Sequence, residues 1–188
     1  LTTQTVNDGA GSTTLDTIGT ATAVTISAYE AGGTPISAFF QIHATSVGAA
    51  ATDIFGNVGQ LFTGYFVFSS NNAHFSSETD PTIATNYLSG TFTGVLGGGS
   101  TSPTFSSSTA TFYSSLIPGI TAEGFSLSFT GLTSPNTIVA GSTSSWQASV
   151  AGTFSGTAVP EPTSAMSFAI GAMGVIGYGL RRLRARKS

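Results

Sequence analysis

Hydrophobic and polar residues alternate along most of the first 158 positions. In the segment GFSLSFTGL, Phe125, Leu127 and Phe129 alternate with serine and threonine. A period of two is typical of a β-strand that has one apolar and one polar face. The same alternation predicts further strands over 21–29, 36–47, 61–70, 87–96 and 144–156, with weaker candidates near 3–7 and 109–116.

Turn-forming residues separate these predicted strands. A short helix near 49–60 is an alternative for one stretch, although Gly56 and Gly59 count against it. We predict an all-β fold for the body: an antiparallel β-sandwich, jelly-roll-like, of about eight to ten strands. Glycine, proline and asparagine are concentrated, at intervals typical of hairpins, in the segments 31–35, 69–81, 97–103, 117–120 and 133–137.

The charged residues divide the chain into two very different parts. All five basic residues lie within the last eight positions, whereas residues 1–162 contain eight carboxylates and no lysine or arginine. With a charge of about −8, residues 1–162 lack a cationic surface for phosphates, which makes nucleic acid a poor partner and excludes a lysine-dependent phosphate site. The chain has no cysteine, so thiol catalysis and thiolate metal sites are also excluded.

The C-terminal end begins with a stiff spacer and an uncharged run. Val159, Pro160, Glu161 and Pro162 are predicted to be extended, because each proline fixes φ and removes a backbone donor. Residues 163–180 carry no charge. As a helix they would be about 27 Å long, against about 30 Å for the hydrocarbon core of a bilayer. We therefore predict a single transmembrane helix there.

A basic cluster follows the uncharged run. By the positive-inside rule it stays in the cytoplasm and acts as a stop-transfer signal, so the body is predicted to lie across the membrane. The cluster consists of Arg181, Arg182, Arg184, Arg186 and Lys187.

This order of spacer, apolar run and arginine-rich end resembles the PEP-CTERM sorting signal of Gram-negative bacteria that make exopolysaccharide. The matching positions are Pro160, Glu161 and Pro162, then 163–180, then 181–187. The resemblance covers about thirty residues and implies that an exosortase, an integral-membrane cysteine transpeptidase, cuts the tail near the motif. It further implies that the body then travels to the cell surface or the extracellular matrix. It implies nothing about the role of the body.

These observations predict four segments of the chain and one route of export. We expect an extracytoplasmic domain over 1–158, the Pro-Glu-Pro motif over 159–162, a transmembrane helix over 163–180 and a cytoplasmic tail over 181–188. The precursor would be tethered to the inner membrane with its body in the periplasm, and the product would lie on the cell surface or in the matrix. Because the chain begins with Leu1, we expect an N-terminal export signal to have been removed.

Few residues are candidates for chemistry. His43 lies on an alternating strand and is predicted to be a partly buried residue with a polar partner, rather than part of a catalytic triad. His74, Glu78 and Asp80 share one loop, and either a metal site or a pair of hydrolytic carboxylates is the alternative to a solvated loop.

The remaining candidates are a turn and a set of aromatic residues. Asp53 and Asn57 could contribute to a calcium site, although a turn is the preferred interpretation. Aromatic residues on the strands either fill the core or form a stacking platform for sugar rings. These aromatic residues are Tyr29, Phe39, Phe40, Tyr65, Phe66, Phe68, Tyr113 and Trp146.

We therefore predict a non-enzymatic structural protein of the cell surface or extracellular matrix, without cofactor, metal or catalytic residues. Its expected partners are the exosortase, the inner membrane transiently, and other copies of itself or exopolysaccharide. A carbohydrate-binding module for exopolysaccharide is the alternative, and a secreted hydrolase is the second alternative.

Overall fold

The computed structural model describes residues 2–27, 34–117 and 120–158. These residues form β-strands and no helix, which confirms the all-β class. The strands are β1 (Thr2–Asn7), β2 (Thr13–Thr17), β3 (Thr22–Ile26), β4 (Ile36–Thr52), β5 (Val58–Ser69), β6 (Asn86–Gly98), β7 (Thr104–Tyr113), β8 (Ile120–Thr130), β9 (Ile138–Val139), β10 (Ser142–Thr143) and β11 (Trp146–Ala158).

Nine strands form one antiparallel sheet in the order β2-β1-β11-β8-β7-β6-β5-β4-β3. A further pairing of β2 with β4 joins the sheet to itself, so eight strands make a closed, barrel-like ring. The predicted jelly-roll-like sandwich of two sheets is therefore wrong in this respect. Alternation within a strand shows which face is buried, but it does not show which distant strand completes the ring.

The alternation places a phenylalanine-rich core inside the ring. In β8, Phe125, Leu127 and Phe129 are buried while Ser126 and Ser128 are exposed, as predicted. Aromatic rings from several strands meet in this core, and their tilted and edge-on contacts are favourable beyond simple burial. The core cluster includes Phe40, Phe62, Phe66, Phe68, Phe92, Phe105, Phe112, Phe125, Phe129 and Trp146.

Glycines on the strands make room for these rings. A Cβ atom added at Gly94 would lie 2.5 Å from the Phe105 ring, far inside normal contact distance. Gly152 of β11 similarly leaves space for the side chain of Leu127 on β8. The absence of a side chain at these two positions thus allows bulky residues to fill the ring.

The alternative helix near 49–60 is not formed. Residues 49–52 end β4, and β5 begins at Val58, so the two strands form a long hairpin. Gly56 lies between them with a φ of 81°, a conformation that glycine adopts without strain. The glycine that counted against a helix is therefore part of the turn.

The two ends of the ring differ. At the closed end, β1 and β2 complete the ring, and the short β9–β10 hairpin lies against β1, β4 and β5. At the open end lie β3, the start of β4, and the last part of β11, which ends at Ala158. We use these two names, closed end and open end, below.

Candidate functional site

The open end has an unfilled position in the sheet. β2 and β3 pair with successive stretches of one edge of β4, at 43–45 and 36–40. β1 pairs with β2 on one side and with Trp146–Ser149 of β11 on the other. Beyond Ser149, no strand among the described residues pairs with this edge of β11. The described residues therefore leave one strand position unfilled between β3 and the last part of β11.

An apolar cavity of about 1050 Å³ lies beside this empty position. Its walls include β3 from Ala23 to Ser27 and β11 from Val150 to Gly156. Its floor is formed by core side chains that include Phe40, Phe68 and Phe112. None of the lining residues is charged. As far as the described residues line it, the cavity is therefore suited to an apolar group.

His43 has a carboxylate partner on the neighbouring strand. Its Nδ1 atom lies 2.5 Å from Oδ1 of Asp16, and the side chains are 44% and 28% exposed. The ring of Tyr65 lies 5.6 Å from the His43 ring, and its hydroxyl donates a hydrogen bond to the carbonyl of Phe75. Burial, and then the negative charge of Asp16, raise the pKa of Tyr65. No serine or threonine hydroxyl in the described part of the chain is hydrogen-bonded to His43, so the pair lacks the nucleophile of a triad.

The loop that follows β5 uses its carboxylate internally. Asp80 accepts hydrogen bonds from the backbone amide and hydroxyl of Ser76, both at 2.7 Å, and from those of Thr82, at 2.8 and 2.6 Å. Thr82, and then Ser76, hold the pKa of Asp80 well below its usual range. His74 is exposed, and no group of three potential metal ligands occurs among the described residues. A carboxylate so bonded is a poor proton donor at neutral pH.

The turn between β4 and β5 is organised by Asp53. Its carboxylate accepts from the amides of Phe55 and Asn57 and from the Asn57 side chain, at 2.8 to 2.9 Å. The Asn57 side chain, and then its amide, lower the pKa of Asp53. The predicted turn is present, and the Asp53 carboxylate accepts its hydrogen bonds from residues of the same turn.

The same turn carries two apolar side chains into solvent. Ile54 and Phe55 are 92% and 82% exposed. We call these two residues the apolar tip. The sequence analysis considered this segment as a turn, a calcium site or part of a short helix, and it missed the exposed tip. The signal was two adjacent bulky apolar residues between turn-forming ones in TDIFGN.

The aromatic residues are mostly internal. Phe40, Phe66, Phe68 and Trp146 belong to the core, as predicted. Tyr113, at the end of β7, is 43% exposed and is far from the apolar tip along the ring. Phe39 and Tyr65 are partly buried and pack against a second, smaller cluster that contains Val67 and Phe75. Tyr29 lies outside the described residues.

The predicted sorting residues also lie outside the described residues, from Val159 to Pro162 and from Arg181 to Lys187. Residues 158–184 match the model of the PEP-CTERM protein-sorting motif. The chain carries a PEP-CTERM sorting tail. This result confirms the resemblance, and it implies an exported protein with a membrane-tethered tail that an exosortase processes.

Two further comparisons and one search gave negative results. Neither a curated protein nor a solved structure matches the chain. Within the described ranges, no helix is long and apolar enough to cross a membrane. The predicted transmembrane segment, 163–180, lies outside those ranges and stays a prediction.

Proposed function

We propose that this chain is an exported, non-enzymatic structural protein of the cell surface or extracellular matrix. The observation that carries the proposal is the PEP-CTERM tail, which begins where β11 ends. The tail directs the protein to the envelope, and the body acts there through its surface. The body contains seven of the eight carboxylates and none of the basic residues.

Each segment of the tail has a physical role in this proposal. Val159–Pro162 is an extended spacer that an exosortase can reach, because its prolines prevent it from continuing β11. Residues 163–180 cross the inner membrane as a helix, and the basic cluster holds the cytoplasmic end. Cleavage near Glu161 then releases the body from the membrane.

A structural role is supported by how the polar side chains of the body are used. The carboxylates of Asp53 and Asp80 accept several hydrogen bonds from their own loops. His43 and Asp16 form a pair without a hydroxyl partner. Acid–base catalysis needs a group that is free to exchange a proton with a substrate, and the Asp53 and Asp80 carboxylates are occupied by their own loops.

The proposal is tested by following Glu161→Ala in the producing cell. We expect the unchanged chain to lose its tail and appear in the surface or matrix fraction, as intact-mass spectrometry and fractionation would show. The Glu161→Ala chain should keep its full mass and remain in the inner membrane. Glu78→Ala is the matched control, because it removes a carboxylate from the body and leaves the motif intact. Release of the Glu161→Ala chain at the normal rate and mass would refute the sorting scheme.

A further inference from the structure

We propose that copies of this chain join head to tail, with the apolar tip of one copy seated in the open-end cavity of the next. The occupant of the cavity is thus a second copy of the same chain. This inference deepens the proposed structural function and rests on it, since it names how the body would build a surface layer or matrix.

The apolar tip has the properties of an anchor residue pair. Ile54 and Phe55 are almost fully exposed, whereas exposed bulky side chains of this kind are costly unless a partner covers them. Three hydrogen bonds to Asp53 and the positive φ of Gly56 fix the turn before any contact is made. A preformed tip loses little conformational entropy on binding, which favours association.

The cavity has the complementary chemistry. Its floor is aromatic, and its walls are the uncharged strands β3 and β11. Because the described residues leave a strand position unfilled beside β11, their cavity is open on that side, and a hairpin tip can enter. A volume of about 1050 Å³ exceeds what an isoleucine and a phenylalanine side chain occupy, so the backbone of the turn can follow them. Buried aromatic anchors in such pockets carry most of the energy of many interfaces.

The tip and the cavity lie at opposite ends of one copy. β4 passes from Phe40, which lines the cavity, to Thr52, which adjoins the tip. These twelve steps correspond to roughly 40 Å of strand. A copy therefore cannot place its tip in its own cavity. Contacts between two different surfaces repeat without closing unless the rotation between copies forms a ring, so the expected product is a filament or a large ring.

Charge changes the strength of this contact but does not determine which two surfaces meet. The carboxylate of Asp53 is the charge nearest to the tip, and it is already bonded within the turn. Bodies with seven carboxylates and no basic residue repel one another at low ionic strength. Added salt screens that repulsion, so association should increase between about 10 mM and 150 mM salt.

The first test compares two variants of the full-length chain in detergent. Phe55→Ser removes the tip, and Val95→Ser is the matched control, because Val95 is an exposed apolar residue on β6. By sedimentation velocity we expect the unchanged chain and Val95→Ser to form large assemblies. The Phe55→Ser chain should be at least tenfold weaker in association. Equal assembly by all three chains, which would indicate association through the tail alone, would overturn the proposal.

The second test mixes two defective copies. Val150→Lys places a cation in the cavity wall but leaves the tip unchanged. Val150→Lys alone and Phe55→Ser alone should each remain monomeric. An equimolar mixture of Val150→Lys and Phe55→Ser should form one-to-one dimers and nothing larger. The melting temperature of Val150→Lys serves as a check on its folding. Assembly by Val150→Lys alone, while it is folded, would show that the tip binds elsewhere and would refute the proposed pairing.

A covalent test does not depend on the cavity variant. The natural chain has no cysteine, so an introduced one is unique. Ile54→Cys in one copy and Val24→Cys in another should form a mixed disulfide on mild oxidation, while Val95→Cys with Val24→Cys should not, because Val24 packs against the core and lines the cavity. Absence of the mixed disulfide would count against tip insertion. Sorting of the Phe55→Ser chain should be normal, so a failure of assembly and a failure of export are separate results.

Discussion

The closed end and the open end of the ring are held together by different interactions. At the closed end, buried polar side chains connect strands that are far apart in sequence. The hydroxyl of Thr5 donates to the carbonyl of Ser144 at 2.7 Å, and Asn7 donates to the carbonyls of Val139 and Thr143. At the open end the contacts are aromatic, and one strand position is empty. Directional hydrogen bonds thus connect the strands at the closed end, whereas apolar packing holds the strands at the open end.

Gln60 is central to the closed end. Its Oε1 accepts from the amide and hydroxyl of Thr143 and from Ser142, and its Nε2 donates to the carbonyl of Gly48. The residue is only 2% exposed. A buried network that is fully bonded specifies one arrangement, whereas nondirectional apolar contacts tolerate several. The open end lacks such a network among the described residues, so its arrangement is the less strictly specified of the two.

The largest effect is expected from removing the polar centre of the closed end. Gln60→Leu leaves the amide and hydroxyl of Thr143 buried without their acceptor, which we expect to lower the free energy of unfolding by about 3 kcal/mol. Urea unfolding followed by the fluorescence of Trp146, the single tryptophan, measures the change. Gln147→Leu, at an exposed position of β11, is the control and should change stability by less than about 0.5 kcal/mol. Equal losses for both variants would contradict the importance of the network.

A smaller loss is expected at the open end. Phe154 is half-buried, and its ring lies 4.9 Å from those of Phe66 and Phe68. Phe154→Ala should cost about 2 kcal/mol, below the range for a fully buried phenylalanine, because part of the ring already faces the cavity. Phe55→Ala removes the same side chain from the exposed tip and should leave the unfolding free energy unchanged. A loss at Phe154 larger than that at Gln60 would reverse the comparison of the two ends.

A pH-dependent effect is expected in the loop after β5. Because the pKa of Asp80 is held below its ordinary value of 3.8, the folded chain binds this proton less readily than the unfolded chain. Its contribution to stability is therefore complete above that value and is lost as the pH falls through the folded pKa. Asp80→Asn should lower the melting temperature by several degrees at pH 7, and the difference should shrink progressively below about pH 4. A difference that does not change with pH would exclude this cause.

The smallest effect is expected where β2 meets β4. The side chains of His43 and Asp16 are partly exposed, and such pairs contribute little. His43→Gln should change the unfolding free energy by less than about 1 kcal/mol, since the backbone pairing of the two strands is retained. A loss comparable to that of Gln60→Leu would mean that this pair, and not the buried network, closes the ring.

Alternation along the chain was sufficient to locate most long strands. The segments 36–47 and 87–96 fall within β4 and β6, and 61–70 coincides with β5 except for its last residue, although each observed strand is longer than its predicted segment. The closure of the ring was not predictable, because the pairing of β2 with β4 depends on a register between distant segments. Gln60 was equally hidden, since an inward-facing glutamine reads as a polar position and breaks the pattern.

The candidate sites also differ in whether they can be recognised from the sequence or only from the fold. The tail was recognisable because its three parts follow one another directly in sequence. The cavity was not, because Val24, Phe40 and Val150 come together only through the fold. The roles of Asp53 and Asp80 depended on which amides their carboxylates would reach, and that is a property of the folded loops.

The position at which β11 ends gives a filament of such copies a direction. Ala158 lies at the open end, so under the proposed tether the cavity would face the bilayer and the apolar tip would point away from it. Released copies would then add at the distal end, and the oldest subunit would remain at the base. Growth would proceed outward from a template that stays fixed in the envelope until its own tail is cut.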